Sequence, residues 1–187
     1  MSSSDIVRWG GLAAMGGGVL LIVYSVLVVA TGTIDKSSPL DWLAILAYAL
    51  LVVGLVGFHD LQQRSYGRIG RVGLYTTIAA FALWVIFLLG GVLGGSGGLV
   101  WLVPLGVLGM LVGEVLYGAA TLQARALPLW CGILFILLMP GTILASYLLW
   151  DATPILWTGL VWLALGYSLW SHRRSGAATG QRSLRVR

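Results

Sequence analysis

The chain has 187 residues, of which 59% are hydrophobic and 9% charged, with a net charge of +5. An average soluble domain carries about 25% charged residues, and eleven basic plus six acidic side chains cannot cover a water-soluble fold of this length, so most of the chain is solvated by lipid. The basic residues fall only between and beyond the apolar runs, which speaks against a nucleic-acid partner and for membrane topology signals.

A spanning helix needs about 20 mostly apolar residues, because the hydrocarbon layer is about 30 Å thick and a helix rises about 1.5 Å per residue. Six stretches meet this need, at 9–31, 40–61, 72–93, 99–122, 127–149 and 155–170. They predict an all-α integral membrane bundle over residues 1–174. The first stretch exceeds the roughly 7 to 15 apolar residues of a signal peptide, so it is read as a retained helix. Between the third and fourth lies GGVLGGSGG at 90–98, read as a flexible hairpin turn in preference to a re-entrant segment. The fifth is interrupted by Pro140 and holds the single cysteine, Cys131, taken as a small apolar side chain. The sixth is the shortest, and Pro154 is tolerated in its first turn, where a missing N–H costs nothing. Residues 175–187 are small, polar and basic, and are expected to form a disordered cytoplasmic tail.

Ten arginines, at positions 8, 64, 68, 71, 125, 173, 174, 182, 185 and 187, fall on one side of these spans, and only Lys36 falls on the other. Positive residues stay inside, so both termini are expected in the cytoplasm. Trp42, Trp101, Trp150 and Trp157 would then form the outer aromatic belt, with Trp9, Trp130 and Trp170 forming the inner one. The inner ends of spans two, four and six read GFHDLQQR at 57–64, GAATLQAR at 118–125 and GYSLWSHR at 166–173. A glycine seven residues before an arginine in each suggests three hairpin repeats in parallel orientation.

Glu114 lies inside span four, ~16 Å from Arg125 at helical rise. An ionised side chain at that depth costs roughly 2.5 to 3.5 kcal/mol on insertion scales, so the carboxyl should face the bundle interior. Tyr117 shares its face one turn away. The first reading is a neutral acid hydrogen-bonded to a hydroxyl, amide or backbone carbonyl of another helix, with Tyr24, Tyr48 and Tyr147 the first hydroxyls to consider; the second is a proton, ion or ligand site. His59 and Asp60 at the inner end of span two are read as interface residues, Asp60 pairing with Arg64. The Pro140-Gly141 pair could form a hinge, although such kinks also occur in inert helices. The sequence has no HExxH, GxSxG, phosphate loop, cysteine pair or second intramembrane carboxylate, so no catalytic residue, metal site or cofactor is assigned.

GFHDLQQR with the following YGRIGRVG at 66–73, LQARALPLW at 122–130 and the closing GYSLW at 166–170 resemble a group of small multi-pass proteins of high-GC bacteria that have no assigned activity. The resemblance implies the topology and a bacterial inner membrane, but no functional residue. The first functional expectation is a structural or accessory membrane component acting through the lipid bilayer, a membrane-protein partner or a second copy of itself. The alternative is a small transporter or channel centred on Glu114, for which a water-accessible cavity reaching that residue would be the sign, as a dry, tightly packed surround would be for the structural role.

The charge asymmetry predicts that alkaline phosphatase fused after Arg187 is inactive in a bacterial host, while green fluorescent protein at the same site fluoresces. Active phosphatase there would overturn the orientation.

Overall fold

A computed structural model of the chain describes residues 3–31, 40–63, 65–93, 99–148 and 153–184. Asp35, Lys36, Arg64, Trp150, Asp151, Arg185, Arg187 and the 94–98 part of the glycine-rich turn lie outside the described residues, as do the side chains of 172–184. Lipid offers the backbone no hydrogen-bond partner, so long runs of aliphatic residues and glycine must satisfy themselves as helices. Six form: α1 (Ser3–Thr31), α2 (Asp41–Gln62), α3 (Gly67–Val92), α4 (Leu102–Ala124), α5 (Leu129–Leu148) and α6 (Thr153–Leu184).

The boundaries have local causes. Gly67 takes a positive φ of 62°, a conformation glycine adopts freely, and this lets α3 begin five residues before the apolar run suggests. Arg125 ends α4 in the left-handed region, and Pro128 stands just ahead of α5. Pro154 occupies the first turn of α6, as anticipated. The backbone of α6 continues as helix to Leu184, well past the end expected at 170 and into the segment expected to be irregular. Among the described residues, five helices are long and apolar enough to cross a membrane. α6 is not one of them, because Pro154, Thr158, Tyr167, Ser168 and three tryptophans dilute its aliphatic content.

Each helix packs antiparallel on the next, and α6 returns to α1, so the six close into a ring in chain order. The seams are not equal. α1 is packed extensively on both α2 and α6, and α4 on both α3 and α5, whereas α2 against α3 and α5 against α6 meet less fully. Glycine explains the close seams. A Cβ added to Gly57 of α2 would lie 2.7 Å from the Cα of Gly10, and one added to Gly18 of α1 would lie 2.7 Å from the carbonyl oxygen of Gly159. On α4, a Cβ at Gly113 would come within 2.7 Å of the Thr77 nitrogen, and one at Gly118 within 2.7 Å of the Gly132 oxygen. Small residues at such places let backbones approach and pack by van der Waals attraction. The helices are therefore gathered as two sets of three, α6-α1-α2 and α3-α4-α5, each held by a glycine-rich central helix.

This grouping bears on the hairpin repeat. Gly57 meets α1 of its own hairpin, Gly118 meets α5 of the next, and Gly166 meets Met15 on α1. The three glycines share a spacing in sequence but serve three different seams, α1 with α2, α4 with α5 and α1 with α6. Outward, Val26, Val29, Leu105, Leu108, Leu144 and other large apolar side chains are exposed, as a lipid-facing surface requires. Trp9, Trp42 and Trp101 are more than half exposed, consistent with belt positions. Trp157 departs from that expectation: its indole lies over Gly141 and donates to the Leu138 carbonyl at 3.2 Å.

Gly57→Val and Gly113→Val are expected to lower thermal stability in detergent, since overpacking a close seam costs about 1–3 kcal/mol. Gly16→Ala is the control, because its added Cβ meets nothing nearer than Leu50 at 3.6 Å. Equal melting temperatures for all three would show that the seams are not close.

Candidate functional site

Rings from five helices fill the middle of the bundle. Phe135 of α5 is the hub, with ring centroids 5.4 Å from Phe58 of α2, 5.2 Å from Tyr117 of α4 and 5.7 Å from Trp162 of α6. Phe81 of α3 lies against Trp162 at 6.2 Å and against Tyr48 of α2 at 5.3 Å. Edge-to-face pairs of this kind contribute about 0.5–1.5 kcal/mol each beyond the area they bury. They also make up for the missing glycine packing where α2 meets α3.

Next to this cluster, toward the end of the bundle where α2, α4 and α6 begin, lies a cavity of about 270 Å³. Tyr48, Phe81, Trp84 and Met139 are among its walls, Pro154 and Thr158 from the first turns of α6 border it, and Glu114 reaches it from the middle of α4. α1 contributes no residue to its lining. The less extensive seams, α2 against α3 and α5 against α6, are the ones whose helices frame it.

Glu114 is 1% exposed, and neither carboxyl oxygen has a hydrogen-bond partner. The Met139 backbone N–H approaches it without reaching hydrogen-bond geometry. The orientation into the bundle is as expected, but the hydrogen bond to another helix is not made. Of the three hydroxyls proposed for it, Tyr24 donates to Asp41 at 3.1 Å, Tyr147 is 80% exposed, and Tyr48 lines the same cavity without bonding the acid. Tyr117, one turn further along α4, is also buried with an unpartnered hydroxyl, as is the indole N–H of Trp162. The Gln62 amide, at the far end of α2, is buried and unpartnered too, and of these groups only Glu114 borders the cavity; buried polar groups are ordinarily paired, so the carboxyl there needs an explanation.

The remaining candidates stand elsewhere. His59 Nδ1 contacts the Tyr66 hydroxyl, and Gln63 Nε2 donates to Asp60 Oδ1 at 3.0 Å. Both lie at the far end of α2 from the cavity. The Asp60 pairing with Arg64 falls outside the described residues. Pro140 faces away from the bundle, and the neighbouring Gly141 serves to receive the Trp157 ring. Cys131 is buried 3.1 Å from the Ser168 hydroxyl, in keeping with a packing role. Among the described residues no group of three His, Cys, Asp or Glu could hold a metal.

Apart from Tyr48, the aromatic walls of the cavity were not picked out from the sequence, although one signal for them exists. Trp84 and Trp162 are the two tryptophans placed mid-span, away from both belts, and both prove to belong to the interior cluster or its cavity.

An unpartnered buried acid destabilises its surroundings by about 1–3 kcal/mol, so Glu114→Leu is expected to raise the melting temperature in detergent. Glu114→Gln, equally unpartnered, should bring no such rise. A lower melting temperature for Glu114→Leu would mean that the carboxyl has a partner after all.

Compared with known proteins, the chain matches no family model, no curated protein and no solved structure, and its function is argued from this cavity and its lining.

Proposed function

We propose that the chain is a small six-span membrane transporter whose binding site is the cavity at Glu114. The observation that carries this reading is the unpartnered, buried carboxyl at a cavity of about 270 Å³. A structural or accessory role predicts instead a carboxyl hydrogen-bonded to a neighbouring helix. Acidic groups at membrane depth are costly and typically mark ion or substrate paths. The grouping of helices supports the same reading. Two sets of three, joined by the less extensive seams around the cavity, have the form in which one body can rock against another about a site between them.

In this proposal α6 is the sixth span, since it packs on α1 through Gly18, Gly159 and Gly166 over much of its apolar length. Both termini are cytoplasmic in a bacterial inner membrane, supported by the arginine distribution. The cavity then lies in the outer half of the bilayer. The hairpin repeat is proposed as a feature of sequence whose three copies serve different seams.

Dicyclohexylcarbodiimide, which adds to accessible carboxyls in apolar surroundings, should label Glu114 in membranes, as read by peptide mass. Thr158→Trp, filling the cavity, should protect it. An unlabelled Glu114 in the folded wild-type protein would return the chain to the structural reading.

A further inference from the structure

We propose that the cavity binds a small organic cation with an apolar body, of the alkylammonium or quaternary ammonium class, with the Glu114 carboxylate as its counter-ion and Tyr48, Phe81 and Trp84 as its walls. This rests on the reading of the cavity as a binding site and adds the chemistry of the ligand.

The choice follows by elimination among ligand classes. An anion would find, among the described lining residues, no basic side chain to receive it. A neutral apolar ligand would leave both Glu114 oxygens as they now stand, unpartnered, and so would not relieve the cost of burying them. An inorganic cation needs several oxygen ligands to replace its water. Among the described lining residues there is one carboxylate beside the Tyr48, Thr142 and Thr158 hydroxyls, and no second acid, histidine or cysteine joins it. Thr142 donates to the Leu138 carbonyl at 2.7 Å and Thr158 to the Pro154 carbonyl at 3.0 Å.

An organic cation brings its own apolar shell and asks for little else. Its charge is matched by a single carboxylate, and its substituents are matched by aromatic and thioether walls. Tyr48 has its ring centroid 5.3 Å from Phe81 and 6.5 Å from Trp84, so three π-systems gather on one side of the cavity. Aromatic faces attract desolvated cations by about 2 kcal/mol, and quaternary ammonium recognition is a recurrent use of that attraction. The volume of about 270 Å³ lies just under the roughly 300 Å³ at which drug-sized sites begin, which points to a ligand of modest size.

The test is calorimetric titration of the full chain in lipid nanodiscs with benzyltrimethylammonium and with neopentylbenzene, its uncharged isostere. The cation is expected to bind at least tenfold more tightly than the isostere. Glu114→Gln should weaken the cation tenfold or more and leave the isostere unchanged, a split that loss of folding would not produce. Equal affinity of the two probes would overturn the cation assignment while leaving a ligand site in place. Binding of neither probe to a protein whose Glu114 is labelled by carbodiimide would also overturn the assignment alone. Binding of neither, with Glu114 unlabelled, would overturn the transporter reading as well.

Discussion

Lipid gives packed helices no hydrophobic push toward one another, so what holds this bundle is van der Waals attraction between backbones that glycine allows to approach closely. α1 and α4 are the helices built for it. Gly10 and Gly17 of α1 turn to α2 while Gly11 and Gly18 turn to α6; Gly109 and Gly113 of α4 turn to α3 while Gly118 turns to α5. Both helices are packed on two sides, and the other four depend on them. The shape of the molecule follows, with two sets of three closed on themselves and meeting through what remains.

What remains is aromatic. Where α2 faces α3 and α5 faces α6, rings and hydroxyls take the place of glycine: Tyr48 on Phe81, Trp157 over Gly141, Thr142 beside Thr158 at 3.1 Å. Rings hold backbones apart, and a ring of six helices that is held apart on two seams does not fill its own centre. Phe135, Tyr117, Phe58 and Trp162 fill part of it. The rest is the cavity that meets Glu114. The space and the close seams are two results of one distribution of small and large residues.

The unpartnered carboxyl is a conflict with the pairing that buried polar groups ordinarily find, and the one that borders a cavity. Natural sequences break packing and pairing rules chiefly where function requires it, and accept some loss of stability there. Tyr117 and Trp162, flanking Phe135 with an unpartnered hydroxyl and an unpartnered indole N–H, extend the conflict inward from Glu114. At the other end of α2 the Gln62 side chain is also buried with its amide nitrogen and oxygen unpartnered, while the residues just beyond it pack closely. The Tyr66 ring lies across Gly70, its hydroxyl meets His59, and Gly67 with its positive φ makes the turn that brings them together.

Much of this was legible in the residues. Apolar runs and the helix rise determined the helical elements to within a few residues, apart from the starts of α1 and α3, at Ser3 and Gly67 instead of 9 and 72, and the end of α6, whose helix continues to Leu184. The cost of burying a carboxyl determined that Glu114 would turn inward. These follow from local properties, the length of a run and the transfer energy of a group, which need no knowledge of neighbours. The tertiary structure decided which helix lies beside which, that Gly57, Gly118 and Gly166 serve different seams, and that no hydroxyl reaches Glu114. It also decided where the cavity stands. Tyr48, Phe81, Trp84 and Thr158 come from three helices and meet only when the ring closes, and whether a space survives between them depends on side-chain volumes summed across five helices. No single stretch of sequence contains that sum.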